Sequence, residues 1–163
     1  MDRRLAAIIV SGALLAAVVV IVLIARGGDD DSSSPESVST DLSTKPQPAI
    51  PEEAPPTEIV SEDVVEGDGK TAAEGDDVTV QYVGVDYDTG AEFDSSWESE
   101  PFTFKLGGGD VIPGWDQGVE GMREGGRRQL ILPPDLAYGA QGNPPAIGPD
   151  ATLVFVVDLI EVN

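Results

Sequence analysis

The alternation of apolar and polar positions divides the chain into three stretches. Leu5–Ile24 carries no charge and is interrupted only weakly, by Ser11 and Gly12. That matches the ~20 apolar residues a helix needs to cross a bilayer. From Gly27 to Thr57 the pattern dissolves into "GGDDDSSS" and then Pro, Ser, Thr and Glu with scattered lone apolars. No helix or strand period recurs there, so burial cannot offset chain entropy. Residues 27–57 therefore read as a disordered, Pro-stiffened stalk. Residues 58–163 read as a folded domain, and residues 1–26 as a transmembrane anchor or signal segment.

Within the domain the runs are short. Ile59-Val60 and Val64-Val65 look like strand fragments before the turn "EGDGK". In Val78–Val85, Val78, Val80 and Tyr82 alternate with Thr79 and Gln81, the period of a half-buried strand. "DYDTGAEFDSS" supplies turn residues and leads into another strand. Phe102–Leu106, Arg127–Leu132 and Thr152–Val162 complete the strands, the last with Leu153, Phe155, Val157 and Leu159 on one face. One helix is predicted, over Pro113–Met122: Pro suits its first turn and Gly125-Gly126 closes the region. The pattern predicts an α+β domain, an antiparallel β-sheet wrapped around one short α-helix with one face of each strand buried.

Charge and missing residue types narrow the chemistry. The chain has no Cys and no His, which removes disulfides, thiol nucleophiles, His-ligated zinc and the Ser-His-Asp hydrolases. A lipid-modified N-terminal cysteine is likewise excluded. The net charge is −21, and from Glu58 onward 22 acids face 5 bases. Such a surface repels phosphate backbones, so nucleic acid is not an expected partner. Arg3 and Arg4 precede the apolar run and Asp29–Asp31 follow it. The positive-inside bias then places the N-terminus in the cytoplasm and the domain outside the cell membrane, or in the medium if the segment is cleaved.

Several motif matches fail on spacing. Gly69-Lys70-Thr71 ends like a phosphate loop, but the required upstream Gly is Val64. Asp86, Asp88 and Gly90 suggest a calcium loop, yet its twelfth position is Trp97. "LGGGDV" lacks the third Gly of a dinucleotide fingerprint. No metal site is expected.

Five segments in order do match a pattern. "VTVQYVG", "FDSS", "PFTFKLGGGDVIPGWDQGVEGM", "RRQLILPPDLAYG" and "IGPDATLVFVVDLIEV" resemble the FKBP-type peptidyl-prolyl cis-trans isomerases over roughly Glu66–Val162. The resemblance implies an apolar pocket between sheet and helix whose floor is Trp115, with Tyr82, Phe93, Phe102, Val111, Ile112, Ile147 and Phe155 as walls. It puts Tyr138 at the rim, Asp94 at the polar edge, and the Ile112 N–H on a substrate carbonyl. Tyr82, Phe93, Asp94, Ile112, Trp115, Tyr138 and Phe155 are then the catalytic candidates, and Phe102, Val111, Ala146 and Ile147 the substrate-binding ones. No cofactor is implied. Partners would be Pro-containing polypeptides and macrolide inhibitors, with the membrane contacted through the N-terminal helix.

The chemistry suits a site without His, Cys or metal. Rotation about an X–Pro bond meets a barrier of ~18–20 kcal/mol from amide resonance, and no proton need move. A water-poor aromatic pocket withdraws the solvation that favours the planar amide. Two departures from the family stand out. "SSWESE" between Asp94 and Pro101 has no basic residue, where relatives often carry an Arg that pairs with the Asp. "GAQGNPPAIGPD" has Asn143 and Ala146 where relatives often place His and a larger aliphatic. The rival readings are a non-catalytic binding module for Pro-containing segments and a stalked structural domain.

Overall fold

The computed structural model describes residues 37–163; the Leu5–Ile24 run and the "GGDDDSSS" segment lie outside the described residues. Among the described residues no helix is long and apolar enough to cross a membrane.

Six strands form one antiparallel sheet: β1 (Val60–Val65), β2 (Asp77–Asp86), β3 (Glu92–Ser95), β4 (Phe102–Lys105), β5 (Arg127–Leu132) and β6 (Leu153–Val162). Their spatial order is β1-β5-β6-β2-β3, and β4 also pairs with β2. The ten residues of β2 are long enough to take both β4, against Asp77–Val80, and β3, against Val83–Val85. This edge of the sheet is thus one strand in two pieces, with a gap opposite Tyr82. The gap is bridged by Ser96: its N–H donates to the Tyr82 carbonyl (3.0 Å), and its hydroxyl accepts from the Tyr82 N–H (2.8 Å).

The β2–β3 turn is held by one side chain. Asp86 Oδ1 accepts hydrogen bonds from the N–H groups of Asp88 and Thr89 and from the Thr89 hydroxyl. That use of a carboxylate within its own turn accounts for this acid pair without an ion.

The helix α1 (Pro113–Val119) ends earlier than its pattern predicts. The stop is Gly121, whose φ of +82° continues no right-handed helix. Its glycines set how closely it packs. A Cβ on Gly114 would sit 2.5 Å from Leu132 Cδ1, and one on Gly118 2.6 Å from Leu130 Cδ1. Four residues apart, they lie on one helix face and let its backbone approach β5.

The concave face of the sheet packs on α1 through Val78, Val80, Leu130, Leu132, Leu153, Phe155, Val157 and Leu159. Val162 joins them because the β2–β6 register shifts near Thr79, which turns Ile160 outward to 47% exposure. The expectation of one buried face per strand is corrected here. Val83, Val85, Ile131 and Val154 form a second buried cluster on the convex face, with Tyr87 and the partly buried Ile50 and Trp97.

What covers that second cluster corrects the disordered stalk expected over residues 27–57. The part of it that is described, from residue 37, lies along the convex face as a strap. Pro46 and Pro48 are buried. Gln129 pairs with Ala49 in both directions, Oε1 accepting from its N–H (2.8 Å) and Nε2 donating to its carbonyl (2.9 Å). Arg127, wholly buried, forms a two-bond ion pair with Asp158 (2.6 and 2.7 Å) and donates to the carbonyls of Ser39, Asp41 and Thr44. The strap needs no period of its own: its backbone groups are satisfied by side chains of β5.

Candidate active site

Between α1, the concave face and the loop entering the helix lies a cavity of about 440 Å³. Its lining includes Tyr82, Phe93, Asp94, Phe102, Val111, Ile112, Trp115, Tyr138 and Phe155, nine of the eleven residues singled out in the sequence. The other two lie elsewhere. Ile147 is a core residue at 4% exposure, and Ala146 is exposed on the loop after Tyr138 without lining the cavity.

Trp115 is the centre of an aromatic box. Tyr82 meets it edge-on with ring centroids 4.9 Å apart, Phe155 edge-on at 5.3 Å, and Phe104 at 5.6 Å. Such edge-to-face contacts add about 0.5–1.5 kcal/mol per pair to area burial. The Trp115 indole N–H is buried and finds no partner among the described residues, so packing alone sets the ring. Floor and core are the same residue, 4% exposed.

One side of the box is polar. The Tyr82 hydroxyl donates to Asp94 Oδ2 (2.7 Å), and Asp94 Oδ1 accepts from the Ser95 N–H (2.9 Å). Burial, then the Asp94 hydrogen bond and charge, push the Tyr82 hydroxyl well above the ordinary tyrosine range. Tyr138 is raised by burial and then by the Asp94 charge. Both phenols therefore stay protonated as donors near neutrality. Among the described residues, no Lys or Arg forms an ion pair with Asp94.

The Ile112 carbonyl accepts from the Trp115 N–H (3.0 Å), opening the helix. The Ile112 N–H donates to no group among the described residues and lies at the cavity wall. It is an unused donor on a residue that lines the cavity.

Sequence reasoning missed four residues here. Gly109 and Asp110 also line the cavity, and Ser96 ties down the backbone of Tyr82. Gly84 is the fourth: a Cβ there would lie 2.7 Å from both Phe155 Cε1 and Phe93 Cζ. A glycine inside an otherwise branched strand is the signal that marked it. Beyond Gly109 and Val111 a larger groove of about 590 Å³ carries Glu74, Asp116 and Glu120. It has no aromatic lining, and Asp116 is already bonded to the Gly107 N–H.

The comparisons agree with this geometry. Residues 68–160 match the family described as FKBP-type peptidyl-prolyl cis-trans isomerase. A Streptomyces anulatus "FK506-binding protein" is 51% identical over 120 residues, covering 72% of this chain and 97% of that protein. A Corynebacterium glutamicum "Probable FK506-binding protein" is 46% identical over 117 residues, covering 71% and 97%. At those coverages both matches begin upstream of Ile50 and so take in part of the strap. The crystal structure of FkpA from Escherichia coli matches with a TM-score of 0.59 at 42% identity, over 64% of this chain and 48% of that one. With its helix, sheet and matched sequence in agreement, the chain belongs to the FKBP-type peptidyl-prolyl cis-trans isomerase family.

Proposed function

We propose that this chain accelerates cis-trans rotation about X–Pro bonds of exported polypeptides, and that the aromatic cavity over Trp115 is where it does so. The observation that carries the proposal is the cavity itself: five aromatic side chains lining it with a buried indole, two of them protonated phenols, and an unused backbone N–H on Ile112.

A proline ring seated on Trp115 would lie among Tyr82, Phe102 and Phe155, out of water. Loss of hydration weakens the planar, charge-separated amide relative to the twisted one. The Ile112 N–H and the Tyr138 hydroxyl would hold carbonyls flanking the proline and stabilise the twisted geometry over the planar ones. Asp94 acts on Tyr82 in this scheme, accepting the hydrogen bond of its hydroxyl and fixing the ring; it takes no proton from the substrate. In this reading an FK506-class macrolide would compete for the same cavity, which the names of the FK506-binding relatives support. The apolar Leu5–Ile24 run supports action outside the cell membrane, on chains still folding after export. Uncatalysed prolyl isomerisation takes ~10–100 s, slow enough to limit that folding.

The test is isomerisation of a short apolar-Pro peptide by the full chain, with and without an FK506-class macrolide. Acceleration suppressed by the macrolide is expected. Peptide binding without acceleration would make the chain a binding module instead. Recovery of the chain in the cytosolic fraction would remove the export reading.

A further inference from the structure

The strand that carries Phe93 and Asp94 is poorly held by the sheet. β3 has four residues, sits at an edge, and pairs with β2 at only three positions across a register shift. Strands that short contribute little stability alone. On the concave side β3 is held by the Tyr82–Asp94 hydrogen bond and the edge-on Phe93–Phe155 contact; further attachment comes from the convex side.

The strap touches β3 before, along and after its length. Before it, the Tyr87 hydroxyl donates to the carbonyls of Pro51 and Glu53, and Ile50 Cδ1 lies 3.6 Å from where a Cβ on Gly90 would be. Along it, Lys45 Nζ reaches Glu92 Oε1 at 3.0 Å. After it, Trp97 packs in the same apolar cluster as Ile50, with the Arg127 guanidinium 6.0 Å from its ring centroid. The exposed Lys45–Glu92 pair is worth little; the apolar cluster and the buried Arg127 carry the attachment. A row of side chains joins the two ends: Arg127 bonds Asp158, whose cross-strand neighbour on β2 is Gln81, and Gln81 accepts from the Ser96 hydroxyl beside Tyr82.

We infer that Ser39–Glu53 is a working part of the isomerase domain: latched by Arg127 and Gln129, the strap positions β3 and the Ser96–Trp97 turn, and through them the Phe93, Asp94 and Tyr82 side of the cavity. Arg127 and Gln129 are positioning residues. They touch neither substrate nor cavity. The inference rests on the isomerase reading only for its activity readout. Two curated relatives whose matches begin upstream of Ile50 share part of this segment with the domain.

The test uses the full chain carrying Gln129→Leu with Ile50→Ser, which removes both bonds to Ala49 and the apolar plug. A Val162→Ala variant, at the far end of β6 from β3, serves as a control for simple destabilisation. Amide exchange at β3 and at the Ser96 N–H is expected to quicken by about tenfold or more in the strap variant, while β5 and β6 keep the parent rate. kcat/KM falls several-fold, mostly through KM, and by more than in Val162→Ala at the same distance below Tm. Unchanged β3 exchange, or an activity loss equal to that of the control, overturns the inference. If the parent proves inactive on Pro-peptides, the isomerase reading fails, and the exchange at β3 still decides whether the strap positions that strand.

Discussion

The two faces of this sheet bury similar residue types by different means. On the concave face a helix brings its own apolar surface: Trp115 and Val119 meet Val80, Leu130 and Phe155, and glycines at 114 and 118 let the backbones close up. On the convex face an irregular strap brings mainly backbone, and the sheet supplies the side chains that satisfy it, Arg127 and Gln129. The concave face leaves a cavity with unused donors. On the convex face the Trp97 indole N–H is the buried donor without a partner among the described residues, and that face fixes the edge strand that walls the cavity. Function sits where packing is incomplete, and the complete packing behind it holds the wall in place.

Breaking the convex side should cost most in stability. Arg127→Met leaves the Asp158 carboxylate buried and unpaired, and about 3–5 kcal/mol should be lost, read from the urea midpoint at constant slope. Adding Asp158→Leu should return part of it. On the concave side, Gly84→Ala drives a methyl between Phe93 and Phe155, at a cost of about 1–3 kcal/mol. Its kcat/KM should fall more than that stability loss explains, since both rings line the cavity. Tyr138→Phe removes one half-exposed donor. A loss of roughly 1 kcal/mol in transition-state binding, about fivefold in kcat/KM, is expected with Tm unchanged.

The smallest effect is pH. With no histidine, and both cavity phenols raised above the usual range, kcat/KM should be flat between about pH 6 and 8. Their raised folded values also set a sign. The stability they lend is complete below the ordinary tyrosine value of about 10 and is lost as pH rises through the folded values. A bell-shaped profile near neutrality would show a titrating group at work that the cavity does not contain.

The concave half was legible because its signals are local. Proline at the helix start, alternation in Val78–Tyr82, and aromatics at fixed spacing around Trp115 each carry their own physical reason. The strap has no such signal. "STKPQPAIPEEAPP" shows no period, and its order comes from Arg127 and Gln129, some 80 residues away in sequence. A clue lay in β6 instead. "LVFVVDLI" is nearly continuous in apolar residues, the mark of a strand buried on both faces; reading only Leu153, Phe155, Val157 and Leu159 left Val154 and Val156 without a partner surface. Ile147 was placed at the pocket by resemblance; it is buried in the same core cluster as Trp115 and is not among the residues that line the cavity.

The most direct measurement is the isomerisation rate of an apolar-Pro peptide with the full chain and with its Trp115→Ala variant, each confirmed folded by near-UV circular dichroism. If the cavity over Trp115 does the work, the parent accelerates the peptide and the variant loses at least about tenfold in kcat/KM, the equivalent of about 1.4 kcal/mol. A folded parent that leaves the rate at its uncatalysed value, or a folded variant as fast as the parent, would contradict that assignment.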